Sequence, residues 1–270
     1  MINRIIRNLS KPHLLPGKLL GKIQWLYAGF NYDESKYIDE QNQRFSKLNL
    51  TYSGTQDELD LLYLSNNDIK VEMSSCHHNL FAAFRKKYKF NNILEIGTHS
   101  GAGAVLLATL FPEAKITTID LPDNHPIFLE TYGRDVINER EGFIRKRDKL
   151  LNSKSNIKFT QINSLDLIFS NEGFDLIWVD GAHGYPVVSI DIVNSLRMVN
   201  ENGFVVCDDV YKRVRKSDEM YCSTASYETI KELFGANLIK YSLILKRTVK
   251  PWGHESVRKY IAVFQKNTQA

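Results

Sequence analysis

Asn92-Ile93-Leu94-Glu95-Ile96-Gly97-Thr98-His99-Ser100-Gly101-Ala102-Gly103-Ala104-Val105 reads as a short buried strand, a glycine turn and the start of a helix. The strand is Ile93 to Ile96, and the helix continues through Leu106, Leu107 and Leu110. Glycines at 97, 101 and 103 let the backbone turn tightly and come close to a ligand. The helix start offers free N–H groups and a positive dipole end to whatever occupies the turn. Glu95 lies inside the strand, where a bare carboxylate is costly without a partner. The dinucleotide fingerprint G-x-G-x-x-G is not met, because His99 stands where its second glycine belongs. The pattern is E-x-G-x-x-x-G-x-G.

Downstream of Asn91 the apolar runs alternate between strand and helix lengths, the signature of a parallel sheet covered on both faces. Strands are expected at Ile93–Ile96, Lys115–Ile119, Ile157–Ile162, Phe174–Val179 and Gly203–Cys207. Helices are expected at Gly101–Phe111, Pro126–Lys149 and Val187–Val199. Ligands of such sheets bind beyond the carboxyl ends of the strands. The residues there are the Gly97 turn, Asp120, Asn163-Ser164, Asp180-Gly181-Ala182-His183-Gly184-Tyr185 and Asp208-Asp209. An acid after the second strand can accept both ribose hydroxyls of a nucleotide. Any one of these residues could be a simple helix cap; a polar group or turn glycine at all five ends is harder to explain that way.

The stretch from about Ser75 to Val210 resembles the catechol and caffeoyl-CoA O-methyltransferase branch of class I S-adenosylmethionine-dependent methyltransferases. It is also similar to bacterial sugar and antibiotic O-methyltransferases, in which D-G-x-H-x-Y follows the fourth strand. The resemblance implies a Rossmann-like doubly wound sheet of seven strands, mostly parallel with the last strand antiparallel. It implies that Glu95, Gly97, Thr98, Ser100, Gly101 and Gly103 hold the methionine part of the cofactor. Asp120 and Leu121 would meet its ribose, Asn163 and Ser164 its adenine, with Asp180 beside it. Magnesium is implied at Asp180, Asp208 and Asp209, although the second member of the Asp208-Asp209 pair is normally Asn. The lysine base of catechol-type enzymes falls on His183 and their adenine-stacking tryptophan on Ala182, so the adenine contact must differ.

These residue types suit methyl transfer to a hydroxyl. Alignment of the acceptor oxygen supplies much of the rate. A hydroxyl pKa near that of water, about 15–16, leaves little alkoxide at neutral pH. A divalent ion held by hard carboxylate ligands would lower it, and imidazole at position 183 would act as general base near operating pH. Asp180 and His183 are therefore the expected catalytic pair. A metal-free site using His183 alone, a non-catalytic nucleotide-binding subunit and a nicotinamide dehydrogenase remain alternatives.

Composition fits a soluble globular chain, and the formal charge of +4 is too mild to indicate nucleic acid. Cys76, Cys207 and Cys222 are far apart with no C-x-x-C, which argues for reduced thiols in a cytoplasmic setting. No apolar run approaches the ~20 residues that span a bilayer, and Lys18 and Lys22 interrupt any leader-like core.

Residues 1–73 are expected to form a helical extension preceding a methyltransferase domain at 74–270. The extension begins with a basic, Leu- and Trp-containing segment at 1–32. That segment suits peripheral contact with an anionic membrane, or packing on its own domain or a second copy. A capping box at Thr55-Gln56-Asp57-Glu58 opens one helix. A second starts near Ser74 or Ser75, with His77 and His78 expected as surface or cap residues. The basic helix near 132–151 is expected to roof the pocket or to present a solvated face. Beyond the fifth strand, a loop over the site, a short helix at 227–234 and strands at Leu238–Lys246 and Lys259–Gln265, joined through Pro251-Trp252-Gly253-His254, close the fold. The acceptor is expected to be a hydroxylated small molecule or glycan.

Overall fold

A computed structural model describes residues 33–65, 75–131, 134–214, 223–248 and 258–267. The basic segment at 1–32, the loop at 215–222 and the Pro251 turn lie outside the described residues. Seven strands form one sheet: β1 (Asn92–Ile96), β2 (Lys115–Asp120), β3 (Ile157–Gln161), β4 (Phe174–Val179), β5 (Val199–Tyr211), β6 (Ile239–Leu245) and β7 (Lys259–Lys266). Their order is β3-β2-β1-β4-β5-β7-β6. β1 to β5 pair in parallel, and β7 runs antiparallel between β5 and β6. This is the expected doubly wound, Rossmann-like sheet.

The central strands read as unbroken apolar runs because both faces are covered. Ile93, Leu176, Trp178, Phe204 and Val206 enter one core. Leu94, Ile96, Ile177, Val179, Val205 and Cys207, one residue out of phase, enter the other. The first core is closed by α1 (Glu34–Ser46), α2 (Thr55–Ser65), α3 (His77–Lys87) and α4 (Ala102–Leu110), whose buried residues include Phe45, Phe81, Phe84 and Leu107. The second is closed by α7 (Val187–Met198) and α8 (Ala225–Gly235), through Val188, Ile192 and Ile230. Among the described residues, no helix is long and apolar enough to cross a membrane.

Three expectations are revised. The Pro126–Lys149 helix is two helices, α5 (Pro126–Glu130) and α6 (Ile137–Leu151), because Thr131 and Val136 take extended conformations. Thr55 is the first residue of its helix, with its hydroxyl donating to the Tyr52 carbonyl at 2.6 Å. His77 and His78 are buried, not at the surface: Ser75 Oγ meets His77 Nδ1 and Tyr63 OH meets His78 Nδ1, each at 2.7 Å.

β6 is an edge strand, and an open edge is a liability. Helix α1 covers it. The fully buried Gln41 amide donates to the Leu245 carbonyl at 3.0 Å and accepts from the Leu245 N–H at 2.8 Å, while Arg44 donates to the Leu243 carbonyl. The helical extension thereby fixes the end of β6. Gln41→Leu orphans both backbone groups, and a loss of roughly 1–3 kcal/mol is expected. The urea midpoint should fall with the m-value unchanged.

Candidate active site

The carboxyl end of β1 turns at Gly97, whose φ of +107° suits glycine. A Cβ there would collide with the Asp180 carbonyl, so the turn can lie against the end of β4 only without a side chain. Gly97 and Thr98 both donate their N–H groups to the Ile119 carbonyl, and Asp180 N–H donates to Ile96 O at 2.9 Å. Gly101, at φ +83°, opens α4, and a Cβ there would strike Leu151. The Asp120 carboxylate accepts from the backbone N–H of His99 and of Leu121, each at 2.8 Å. Each of its oxygens thus already holds one bond, and the carboxylate stands beside the Gly97 turn.

Glu95 and Gly103 face inward. A Cβ on Gly103 would collide with Glu95 Oε1 and with the Trp178 ring, so this glycine lets α4 sit on the sheet. The Thr118 hydroxyl donates to Glu95 Oε2 at 2.5 Å. Burial raises the Glu95 pKa to about 8, which leaves a neutral carboxyl inside the fold at neutral pH. Asn163 caps a 3₁₀ turn (Ser164–Phe169) by accepting from Leu165 N–H.

β5 runs past the expected end at Cys207 to Tyr211, so Asp208 and Asp209 lie at an irregularity within the strand and not after it; there they neighbour Asp180, the acid after β4, but not as an open set of ligands. Asp180 is close enough to Asp208 to feel its charge. The ammonium of Lys246, at the end of β6, hydrogen-bonds Asp208 Oδ2 and stands 2.9 Å from Asp209 Oδ1. Lys259, at the start of β7, bonds Asp209 Oδ2. Asp209 has a φ of +51°, at an irregularity in the β5–β7 register that also separates Cys207 from Val210.

Burial and then the neighbouring Asp208 push the Asp180 carboxyl well above the ordinary range. Burial also opposes charge on Asp208, and on Asp209 Asp208 adds to that opposition. The ammonium of Lys246, joined by Lys259 at Asp209, outweighs it and holds both carboxyls low. Burial opposes the Lys246 ammonium in turn, and the acids more than offset it. The ammoniums of Lys246 and Lys259 stand against Asp208 Oδ2 and both Asp209 oxygens, which leaves Asp208 Oδ1, buried and without a hydrogen bond, as the free oxygen of that pair, and a magnesium ion held jointly by Asp180, Asp208 and Asp209 does not fit this donor set. Among the described residues, no group of three or more His, Cys, Asp or Glu is arranged to hold a metal ion.

His183 Nε2 stands 3.8 Å from Asp180 Oδ1, beyond hydrogen-bond range. Its Nδ1 is closed off from solvent, and burial lowers the imidazole pKa. The basic face of α6 is mostly solvated; Arg147 is the exception, buried and paired through both terminal nitrogens with Asp123 at 2.6 and 2.9 Å.

Four residues escaped the sequence reading. Lys246 and Lys259 border strands, and a lysine directly after Leu243-Ile244-Leu245 was the available signal. Asp191 sits on the apolar face of α7 between Val188 and Ile192, with its carboxyl raised to about 6 by burial. A Cβ on Gly181 would lie 3.9 Å from Asp191 Oδ2, so Asp191 reaches the loop after β4. Asn194, one turn further on, is buried on the same helix. A depression of about 380 Å³ lined by Tyr88, Phe90, Asp175, Asn200 and Gly203 lies at the opposite ends of β1, β4 and β5 and holds none of the site residues.

Residues 94–210 match a family model described as a methyltransferase domain. No curated protein matches the chain. Among solved structures, the O-methyltransferase TomG from Streptomyces achromogenes, involved in tomaymycin synthesis and solved with S-adenosylmethionine, is 15% identical. The alignment covers 87% of this chain and 99% of that one, with a TM-score of 0.52. A caffeoyl-CoA O-methyltransferase candidate from Staphylococcus aureus is 14% identical over 79% of this chain and 92% of that one, also at 0.52. Podospora anserina methyltransferase PaMTH1, solved with S-adenosylhomocysteine, is 16% identical over 79% and 88%, at 0.50. At these identities the likeness carries the fold.

Glu95 makes a stability prediction. Its ordinary carboxyl value is 4.5 and its folded value about 8. Between those values the folded chain keeps a proton that the unfolded chain has released, so Glu95 costs stability as pH rises through the window. The slope is at most about 1.4 kcal/mol per pH unit. Glu95→Gln should flatten the fall in melting temperature between pH 5 and 9 relative to the parent.

Proposed function

We propose, from the match of residues 94–210 to a methyltransferase-domain model and from the β3-β2-β1-β4-β5-β7-β6 sheet that carries them, that the protein is an S-adenosylmethionine-dependent O-methyltransferase acting on a hydroxyl of a small molecule or glycan, sugar-type acceptors first. The observation that carries this reading is the meeting of the Gly97 turn, Asp120 and Asp180 at adjacent strand ends, with His183 beside Asp180. When bound, S-adenosylmethionine supplies an electrophilic methyl group on a sulfonium with a neutral leaving group.

The chain's own residues supply position and proton handling. Gly97, with no side chain, lets the β1 turn close onto the end of β4, and Ser100 and Gly101 lead into the amino end of α4, where a ligand would meet free N–H groups. Asp120 keeps lone pairs for ribose hydroxyls, because each oxygen accepts only one backbone N–H. Asn163 and Ser164 stand at the adenine end, with Asp191 as a further acceptor. Burial keeps His183 neutral, and with Nδ1 closed off, Nε2 is the atom that takes the acceptor's proton. The carboxylates of Asp209 and Asp208, held ionised by the lysines, favour the imidazolium so formed, and Asp180 stands 3.8 Å from the same nitrogen. The divalent-ion assistance implied by the resemblance has no place in this scheme.

Screening hydroxylated acceptors with methyl-labelled S-adenosylmethionine tests the reading. Asp180→Ala should abolish label transfer. His183→Ala should cut kcat by about 10²–10⁴ while cofactor binding by calorimetry is retained. Cofactor binding with no turnover on any acceptor would favour a binding subunit instead.

The lowered His183 pKa also fixes the sense of the pH profile. The base is free throughout neutral pH, so kcat/KM should rise through a limb below pH 6.5 and be flat above it. The limb should vanish from the residual activity of His183→Ala.

A further inference from the structure

We propose that Lys246 is the built-in cation of this site, its ammonium standing in for the divalent ion that an Asp180–Asp208–Asp209 cluster would otherwise recruit. The inference deepens the methyl-transfer reading and rests on it only for its kinetic consequence. Three features of the structure support it.

The first is position. The Lys246 side chain is 7% exposed, and its ammonium bridges Asp208, 2% exposed, and Asp209. A magnesium ion sits about 2.1 Å from each ligand oxygen and demands near-octahedral surroundings. At Asp208 Oδ2 and Asp209 Oδ1 such an ion would press against the ammonium already bridging them.

The second is charge. Lys246 and Lys259 together set two ammoniums against the three carboxyls of Asp180, Asp208 and Asp209. At most one negative charge is left to meet a divalent ion. The same pairing explains why Asp209 can stand where the resemblance expects Asn: its extra charge is met by Lys259.

The third is that the lysine is held by construction. Its carbonyl accepts from the Cys76 N–H at 2.7 Å, just before α3, and its N–H donates to the Lys259 carbonyl at 3.2 Å. The preceding Leu245 is clamped by Gln41. The backbone on both sides therefore aims the side chain inward. Lys246 acts through Asp208 and Asp209 and is a positioning residue: it keeps the two carboxylates ionised and in place beside Asp180 and His183.

Mn²⁺ titration of the full chain, followed by electron paramagnetic resonance, tests this without any acceptor or turnover. The parent should bind no Mn²⁺ that Asp208→Asn abolishes, up to about 1 mM, the weak end of carboxylate sites. Lys246→Met should gain one Mn²⁺ site, at least about tenfold tighter than any parent binding and lost again when Asp208→Asn is added. In turnover, the parent should be indifferent to EDTA, and Mg²⁺ should partly rescue Lys246→Met. A parent Mn²⁺ site abolished by Asp208→Asn overturns the proposal, as does a folded Lys246→Met that gains none. If Lys246→Met fails to fold, the parent titration alone decides. If no acceptor is ever methylated, the Mn²⁺ results still stand or fall by themselves.

Discussion

Three carboxyls cannot share a protein interior without positive charge to meet them. At the end of β4 and the irregularity in β5 that charge arrives on Lys246 and Lys259, from the ends of β6 and β7. Removing one partner of a buried ion pair is costly because the other charge is left without solvent. The cluster therefore ties the antiparallel closing strands to the parallel sheet at the edge where the candidate site lies. Asp208 and Asp209 stay ionised, Asp180 is driven toward its neutral form, and burial holds His183 neutral. The ionic cluster and its burial thus set the protonation pattern at the candidate site.

The helices at 33–65 serve the same end. Gln41 and Arg44 satisfy the outer edge of β6, and the amino end of α3 receives the Lys246 carbonyl through Cys76 N–H. His77 and His78 lie buried near this cluster. Burial first, and then His78 or Lys246, keep both histidines from taking a proton, with His78 pushed down to about 4. Adding further positive charge behind Lys246 is thereby avoided. On the other flank, Gly97 and Gly103 act by absence: one lets the β1 turn meet Asp180, the other lets α4 settle over Glu95 and Trp178. Side-chain volume at either place would separate the elements that bring the site together.

Much of this was legible in the residues alone. The β–α alternation, the Gly97–Gly101 turn and the polar strand ends depend on local periodicity and on backbone freedom that only glycine has, and both are written along the chain. The paired closing strands were legible for the same reason. The break between α5 and α6 was not, because extended conformations at Thr131 and Val136 leave no mark in the apolar pattern. The burial of His77 and His78 was hidden too, since adjacent histidines read as polar until Tyr63, Ser75 and Trp178 are packed around them.

The order of strands and helices, the glycine turn and the placing of Asp120, Asp180 and His183 at strand ends were determined by the sequence itself, whereas Asp208 and Asp209, expected after β5, lie at an irregularity within it. Each of the former follows from spacing over a few residues. Only the tertiary structure decided what meets the three acids. The pairing of Lys246 with Asp208 spans 38 positions of chain, and that of Lys259 with Asp209 spans 50. Such a contact exists only once β7 has inserted between β5 and β6. Local pattern can say that a carboxylate needs a partner; which cation reaches it is a matter of topology.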